Sequence, residues 1–363
     1  MVDIVRTTTT PRRRWKALAV ACSALLVVAA CGSNDASTPV VGEAGDQAAG
    51  APTIIATTSI WADVVSNVAC DGLATVETIV PIGGDPHAFE PSLADRGALE
   101  EAVLVVANGL LLEEGLEDTL DAVADAGTPV FRLAEHVDTI AYSDEGDDHA
   151  EDEHADEGEH ADEGDDHAED EHADEGDEHA EDEHAHSGRD PHVWFDPIRV
   201  SAALPELAEH LVDNAGLDAA AVDACVSAYQ DELAAADAEV AELVAGIPEA
   251  NRKLVTSHDA LSYFAERYGF EVIGTVIPSP SGLAETNPGQ LEELAELIKA
   301  EGVPAIFAET QHSDEDARAL ADHVGDVEVV TLHTGSLGDA GSGADSYVGF
   351  LRTNAQLIAD SLG

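Results

Sequence analysis

Short apolar runs alternate along this chain with longer stretches in which apolar positions return every third or fourth residue. The first kind reads as strand, the second as amphipathic helix. In the first half, strands are predicted at Thr53–Thr58, Thr75–Val80, Val103–Ala107 and Pro129–Leu133. Helices are predicted up to Ala69, over Leu93–Ala102 and over Leu116–Ala126. The run Val103–Ala107 has no polar face, as expected of a parallel strand covered on both sides. Helical stretches at Pro197–Val212 and Ala219–Val244 follow, and then the alternation restarts. Strands at Lys253–Ser257, Glu271–Val276, Pro304–Ala308 and Glu328–Leu332 alternate with helices at Ala260–Tyr268, Pro288–Ala300, Asp314–His323 and Ala344–Leu362. The economical assembly is α/β: two Rossmann-like lobes joined by a long rigid helix. About 26 helical residues would run roughly 40 Å.

Outside this alternation lie the first fifty residues and one long insert. Arg6, Arg12, Arg13, Arg14 and Lys16 precede an apolar run from Ala17 to Ala30. That run has the length of a secretory leader and is too short to span a bilayer. It ends Val28-Ala29-Ala30-Cys31, which resembles a bacterial lipobox, so Cys31 is expected to become the lipidated first residue. A polar tether rich in Gly, Ser, Ala and Asp follows. The chain therefore divides into a leader at 1–30, a lipidated flexible tether at 31–51, and an N-terminal α/β lobe at 52–212. A linking helix at 213–248 and a C-terminal α/β lobe at 249–363 complete it. The expected location is extracytoplasmic, on the outer face of the cell membrane or in the periplasm. There Cys70 and Cys225 are two cysteines free to pair, although sequence does not say whether their Cα atoms approach.

The insert, at 144–187, is built from the unit DEGDDHAEDEHA, which recurs at 162–173 and, with one change, at 174–185. It has no aliphatic side chain beyond Ala, so it cannot bury a core and is expected to be disordered. His149, His154, His160, His167, His172, His179, His184 and His186 recur among its carboxylates as a weak, multi-site sponge for divalent metal. Removing the insert does not remove the acidity: the formal charge is −60, and the rest of the chain is still strongly anionic. That balance argues against nucleic acid and favours cationic ligands.

The local chemistry centres on three histidines. GGDPHAFEPS at 83–92 puts His87 just after the second strand, and DPHVWFDP at 190–197 puts His192 just after the insert. In both, proline fixes its own φ and holds the preceding aspartate extended. His258 ends the first strand of the second half in Thr256-Ser257-His258-Asp259-Ala260. Loops at strand C-termini are where open α/β sheets bind ligands. Three imidazoles there make a zinc-type half-shell, completed by water or one oxygen. Asp85, Asp190, Asp259 and Glu309 are candidates to orient them. His136, His210, His312 and His323 lack such settings and are expected on solvated faces.

These segments, with SHDALSYFAERYGF at 257–270 and NPGQLEELAELIKAEGVPAIFAET at 287–310, resemble the metal-specific solute-binding proteins of bacterial ABC importers. The His-rich acidic insert resembles that of the zinc-uptake branch. The resemblance implies that His87, His192 and His258 hold Zn²⁺ as transported cargo, between the lobes. It also implies a membrane permease as partner, a monomer, and no enzymatic activity. Many relatives carry a carboxylate ligand in a loop resembling TDSL; here the loop reads Thr334-Gly335-Ser336-Leu337, so the fourth ligand is open between water, Glu309, His333 and a residue of the insert, with water preferred. An extracytoplasmic zinc hydrolase and a surface metal buffer or adhesin are the competing readings. Deprotonation of the histidines predicts weaker binding as pH falls through about 6.5.

Overall fold

The computed structural model describes residues 50–70, 72–142, 188–279 and 281–363. The leader, almost all of the tether and the His-rich insert lie outside the described residues. Two four-stranded parallel sheets carry the fold. The first comprises β1 (Thr53–Ala56), β2 (Thr75–Thr78), β3 (Leu104–Ala107) and β4 (Val130–Arg132), in the order β2-β1-β3-β4. The second comprises β5 (Lys253–Thr256), β6 (Glu271–Thr275), β7 (Ala305–Glu309) and β8 (Glu328–Leu332), in the matching order β6-β5-β7-β8. Every residue of β3 and of β7 is buried, and for β3 this is the outcome foreseen for a strand without a polar face.

Strand order reverses at β1 in one sheet and at β5 in the other. The crevice beyond the strand C-termini at such a reversal is the preferred ligand site of open α/β sheets. Helices α1 (Ser59–Val68), α2 (Leu93–Glu101) and α3 (Glu117–Ala126) serve the first sheet. Helices α6 (Ser262–Tyr268), α7 (Pro288–Glu301) and α8 (Glu315–Val324) serve the second, and α9 (Tyr347–Leu362) closes the chain. Polar caps set the starts: Thr58 accepts from the Trp61 N–H, Ser92 and Asp95 form a capping box, and Asp196 accepts from Ile198 and Arg199 ahead of Pro197.

Helix α4 (Pro197–Ala215) ends at left-handed Gly216, which lets the chain reverse into α5 (Ala219–Ala245). The 27 residues of α5 extend roughly 40 Å and pack along α1, α4 and α9. Cys70 and Cys225 are disulfide-bonded with Cα atoms 5.9 Å apart, fixing the end of α1 to α5. Trp61 and Trp194, both fully buried, meet edge to face at 6.2 Å under the crevice. Truncating either to alanine removes a large apolar body from the main core, at a cost of about 3–5 kcal/mol. Among the described residues, no helix is long and apolar enough to cross a membrane.

Candidate metal centre

Each of the three histidines is set by a carboxylate on its own backbone. The Asp85 Oδ1 accepts the His87 N–H at 2.9 Å, and the Asp190 Oδ1 accepts the His192 N–H at the same distance. The two Asp-Pro-His segments thus fold alike, the aspartate turning the chain back on itself before the imidazole. For His258 the carboxylate comes from the neighbouring strand: Glu309, the last residue of β7, accepts its N–H at 3.1 Å.

Two of these carboxylates also fix the ring. His192 Nδ1 lies 2.7 Å from Asp190 Oδ1, and His258 Nδ1 lies 2.6 Å from Glu309 Oε1. An ionised carboxylate only accepts, so each Nδ1 carries a hydrogen, and in the neutral ring the Nε2 lone pair is the one left for a metal. Those Nε2 atoms converge. His192 Nε2 stands 3.2 Å from His258 Nε2 and 3.2 Å from His87 Nε2. Neutral rings so placed face each other lone pair to lone pair, and a proton on one of them or a metal ion between them removes the conflict. Nitrogens bound tetrahedrally to zinc at ~2.0–2.1 Å stand about 3.3–3.4 Å apart, close to the spacing seen.

Burial sets the electrostatics. His87, His192 and His258 are 5%, 1% and 3% exposed. Desolvation, reinforced by the neighbouring imidazoles, holds His87 and His192 well below the ordinary histidine value. Burial also presses His258 downward, but the Glu309 charge and hydrogen bond, with Asp85 and Asp190 beyond, carry it above that value. Burial alone would raise Glu309; the charge of His258 and the Thr334 hydroxyl bring it down to about 2. Asp190, fully buried, is pushed up to about 7 by desolvation.

A support frame surrounds the triangle. Trp194 donates from Nε1 to the Thr334 carbonyl at 2.9 Å, and the Thr334 hydroxyl donates to Glu309 Oε2 at 2.6 Å. The Tyr263 hydroxyl donates to the Asp190 carbonyl at 2.7 Å, and the Asn108 amide donates to the Pro191 carbonyl at 3.0 Å. Asn108 is held by Glu113, a buried carboxylate that accepts the N–H groups of Asn108 and Gly109 and the Thr57 hydroxyl. This anchoring sustains a left-handed turn in which Leu110 and Leu111 have φ of 55° and 60°, a conformation costing roughly 1–2 kcal/mol per residue.

The cavity facing the three Nε2 atoms has a volume of about 10 Å³, the size of one water-sized sphere. Thr334 and Gly335 of the Thr334–Leu337 loop line this cavity. A Cβ at Gly335 would lie 2.9 Å from Pro86 Cδ, so this position admits no side chain without a shift. Glu309 has both oxygens engaged by His258 and Thr334 and serves as an orienting group. His333 is held through its backbone by Asn354 and does not line the cavity. Asp259 accepts from the Ser262 hydroxyl. Asp85 caps the backbone of His87, whose own Nδ1 is buried without a hydrogen bond and lies 4.0 Å from Glu114.

The expectation of solvated faces fails for His312 and, in part, for His136 and His210. His312 is not on a solvated face: it lines the cavity mouth beside Asp85, its ring 5.8 Å from that of His258. The strand β7 ends at Glu309, and the turn after it folds back over the site, which no local pattern announces. His323 is exposed beside Glu292, as expected, whereas His136 and His210 are half-buried against Phe131. Trp194 and Thr334 were also not singled out; Trp194 stands inside the second Asp-Pro-His segment, and nothing marks Thr334 beyond its loop.

Comparison with known proteins matches residues 54–361 to the family model ZnuA, described as zinc-uptake complex component A, periplasmic. The zinc-binding protein TroA of Treponema pallidum is 28% identical over 341 residues, covering 92% of this chain and 96% of that protein. The manganese-binding lipoprotein MntA of Halalkalibacterium halodurans is 27% identical over 337 residues, covering 93% and 95%. The solved structure of the periplasmic zinc-binding protein TroA from Treponema pallidum superposes with a TM-score of 0.70 at 27% identity, covering 86% of this chain and all of that one.

Proposed function

The chain belongs to the ZnuA family of zinc-uptake components, and from that premise we propose that it captures Zn²⁺ outside the cytoplasm and delivers it to the permease of an ABC importer. Metal binding for such importers is the business of the family, whose relatives include lipoproteins named for manganese as well as proteins named for zinc. The finer reading is zinc as cargo, His87, His192 and His258 as its protein ligands, water as the fourth, and a monomer tethered through lipidated Cys31.

The observation that carries it is the convergence of three Nε2 atoms, with that of His192 3.2 Å from those of His87 and His258 and the His192 and His258 rings oriented by Asp190 and Glu309. A third imidazole nitrogen suits Zn²⁺ better than Mn²⁺, which prefers oxygen. The relatives are named as metal-binding components of importers and not as hydrolases, which favours the transport reading over the hydrolase one. The test is calorimetric titration of Zn²⁺ and Mn²⁺ into residues 32–363 and into His258→Ala. One tight zinc site, lost in the variant, with manganese weak, supports the reading; unchanged zinc binding in the variant refutes it. Deleting residues 144–186 should remove weak capacity alone. Loss of all tight binding on that deletion would assign the function to the insert.

A further inference from the structure

We propose that Asp85 and His312 form a transit site at the cavity mouth, where the ion exchanges water for protein donors on its way to and from the three imidazoles. This rests on the reading of those imidazoles as the metal centre. The inner nitrogens face a small cavity walled by Trp194, Pro86 and Gly335, with Asp85 and His312 also in its lining. An ion arrives hydrated, and stripping its shell in one step before any protein ligand is made costs many kcal/mol. A pair of donors at the rim divides that loss into two exchanges.

Two strong metal donors outside the triangle face both the cavity and solvent: Asp85 and His312, with side chains each 15% exposed. Glu309 is committed to His258 and Thr334, and the Gln311 carbonyl oxygen sits 3.0 Å from the Thr334 hydroxyl. The remaining Asp85 oxygen, Oδ2, stands 3.8 Å from His312 Nε2, beyond hydrogen-bond reach. Zinc held by one nitrogen and one oxygen sets its donors about 3.3–3.5 Å apart, so closure by a few tenths of an ångström seats an ion there.

The pair is also adjacent to the triangle at both ends. Asp85 Oδ1 holds the backbone of His87, and the His312 ring is edge-on to His258. Donor atoms of His258, Glu309 and His312 lie within 4.8 Å of one another. The ion therefore passes from rim to triangle by trading ligands one at a time.

The experiment measures Zn²⁺ capture by the metal-free full-length protein in stopped flow, release to a chelator, and affinity by calorimetry. In His312→Ala, capture and release should both slow by about tenfold, ~1.4 kcal/mol on the barrier, with affinity nearly unchanged. His312→Gln, closer in size, should behave as His312→Ala, whereas His312→Asp restores a donor and should recover the rates. Wild-type rates in His312→Ala and His312→Gln overturn the proposal. So does an affinity loss carried by faster release alone, which would make His312 an equilibrium ligand. Retention of tight zinc by His258→Ala is a different failure: it removes the metal-centre reading itself, whatever the His312 variants show.

Discussion

Gly335→Asp puts a carboxylate in the Thr334–Leu337 loop, where the family resemblance leads one to expect a metal ligand, and the structure says it will weaken binding. A Cβ at this position stands 2.9 Å from Pro86 Cδ and 3.3 Å from Pro86 Cγ, whereas unstrained carbon contacts lie at ~3.5–4.0 Å. Relief requires Pro86 or the loop to move by roughly 0.6–1 Å. Pro86 is bonded to His87, so part of that movement reaches an imidazole whose Nε2 stands 3.2 Å from that of His192. Metal–ligand distances tolerate about 0.2 Å. One of three nitrogens is then misplaced, and affinity should fall about 10–100-fold, the range seen when groups supporting a metal ligand are lost. Competition with a chelator of known zinc affinity measures this for Gly335→Asp and Gly335→Ala. The alanine variant adds the Cβ without the charge and should show most of the loss. Tighter binding by Gly335→Asp than by the wild type would refute the reasoning, since it would mean that the loop yields and supplies a fourth ligand.

Other outcomes follow from the same geometry. His258 holds its proton above the ordinary imidazole value while His87 and His192 shed theirs well below it. Zinc binding near neutral pH should therefore release protons from His258, and affinity should start to fall on acidification above about pH 6.5; calorimetry in buffers of different ionisation heat counts the protons. In the metal-free protein the sign is opposite: the His258–Glu309 pair stabilises fully below the unfolded histidine value, and that contribution is lost as pH rises through the raised one. Glu309→Gln and Asp190→Asn should each cost roughly 10–100-fold in zinc affinity, and Glu309→Gln should also move the acid limit of binding to lower pH, as a titration of affinity against pH would reveal. Replacing Cys70 and Cys225 by serine opens a loop of 155 residues and should cost about 2–5 kcal/mol in denaturant unfolding, with zinc affinity unaltered.

The strands and helices were legible because their periods are clean and their ends are punctuated. Val103–Ala107 has no polar face, Pro197 and Pro288 open helices, and Gly216 and Gly302 close them. The three histidines were legible because each follows a strand end or a repeated Asp-Pro-His. Their orienting groups were only half legible. Asp190 lies two residues from His192 and acts within its own turn, but Glu309 reaches His258 from another strand across 51 residues. His312 was misread for the same reason: its distance to Asp85 is a property of how two loops meet, and no spacing along the chain encodes it. The closure of Gly335 against Pro86 is likewise a contact between distant loops.

The three imidazoles hang from different parts of the molecule: His87 beyond β2, His192 at the entrance to α4, His258 beyond β5 of the other sheet. An ion held by all three is a rivet as well as a passenger. Its binding energy is shared with the association of the two sheets, so cargo adds to the resistance of the whole chain to unfolding, by about 4 kcal/mol when free metal stands a thousandfold above its dissociation constant. Separation of the sheets by an ångström or so removes His258 and leaves a two-nitrogen chelate. Cargo is thereby written into stiffness, and a membrane partner that tests how easily the lobes part can distinguish full from empty without touching the ion.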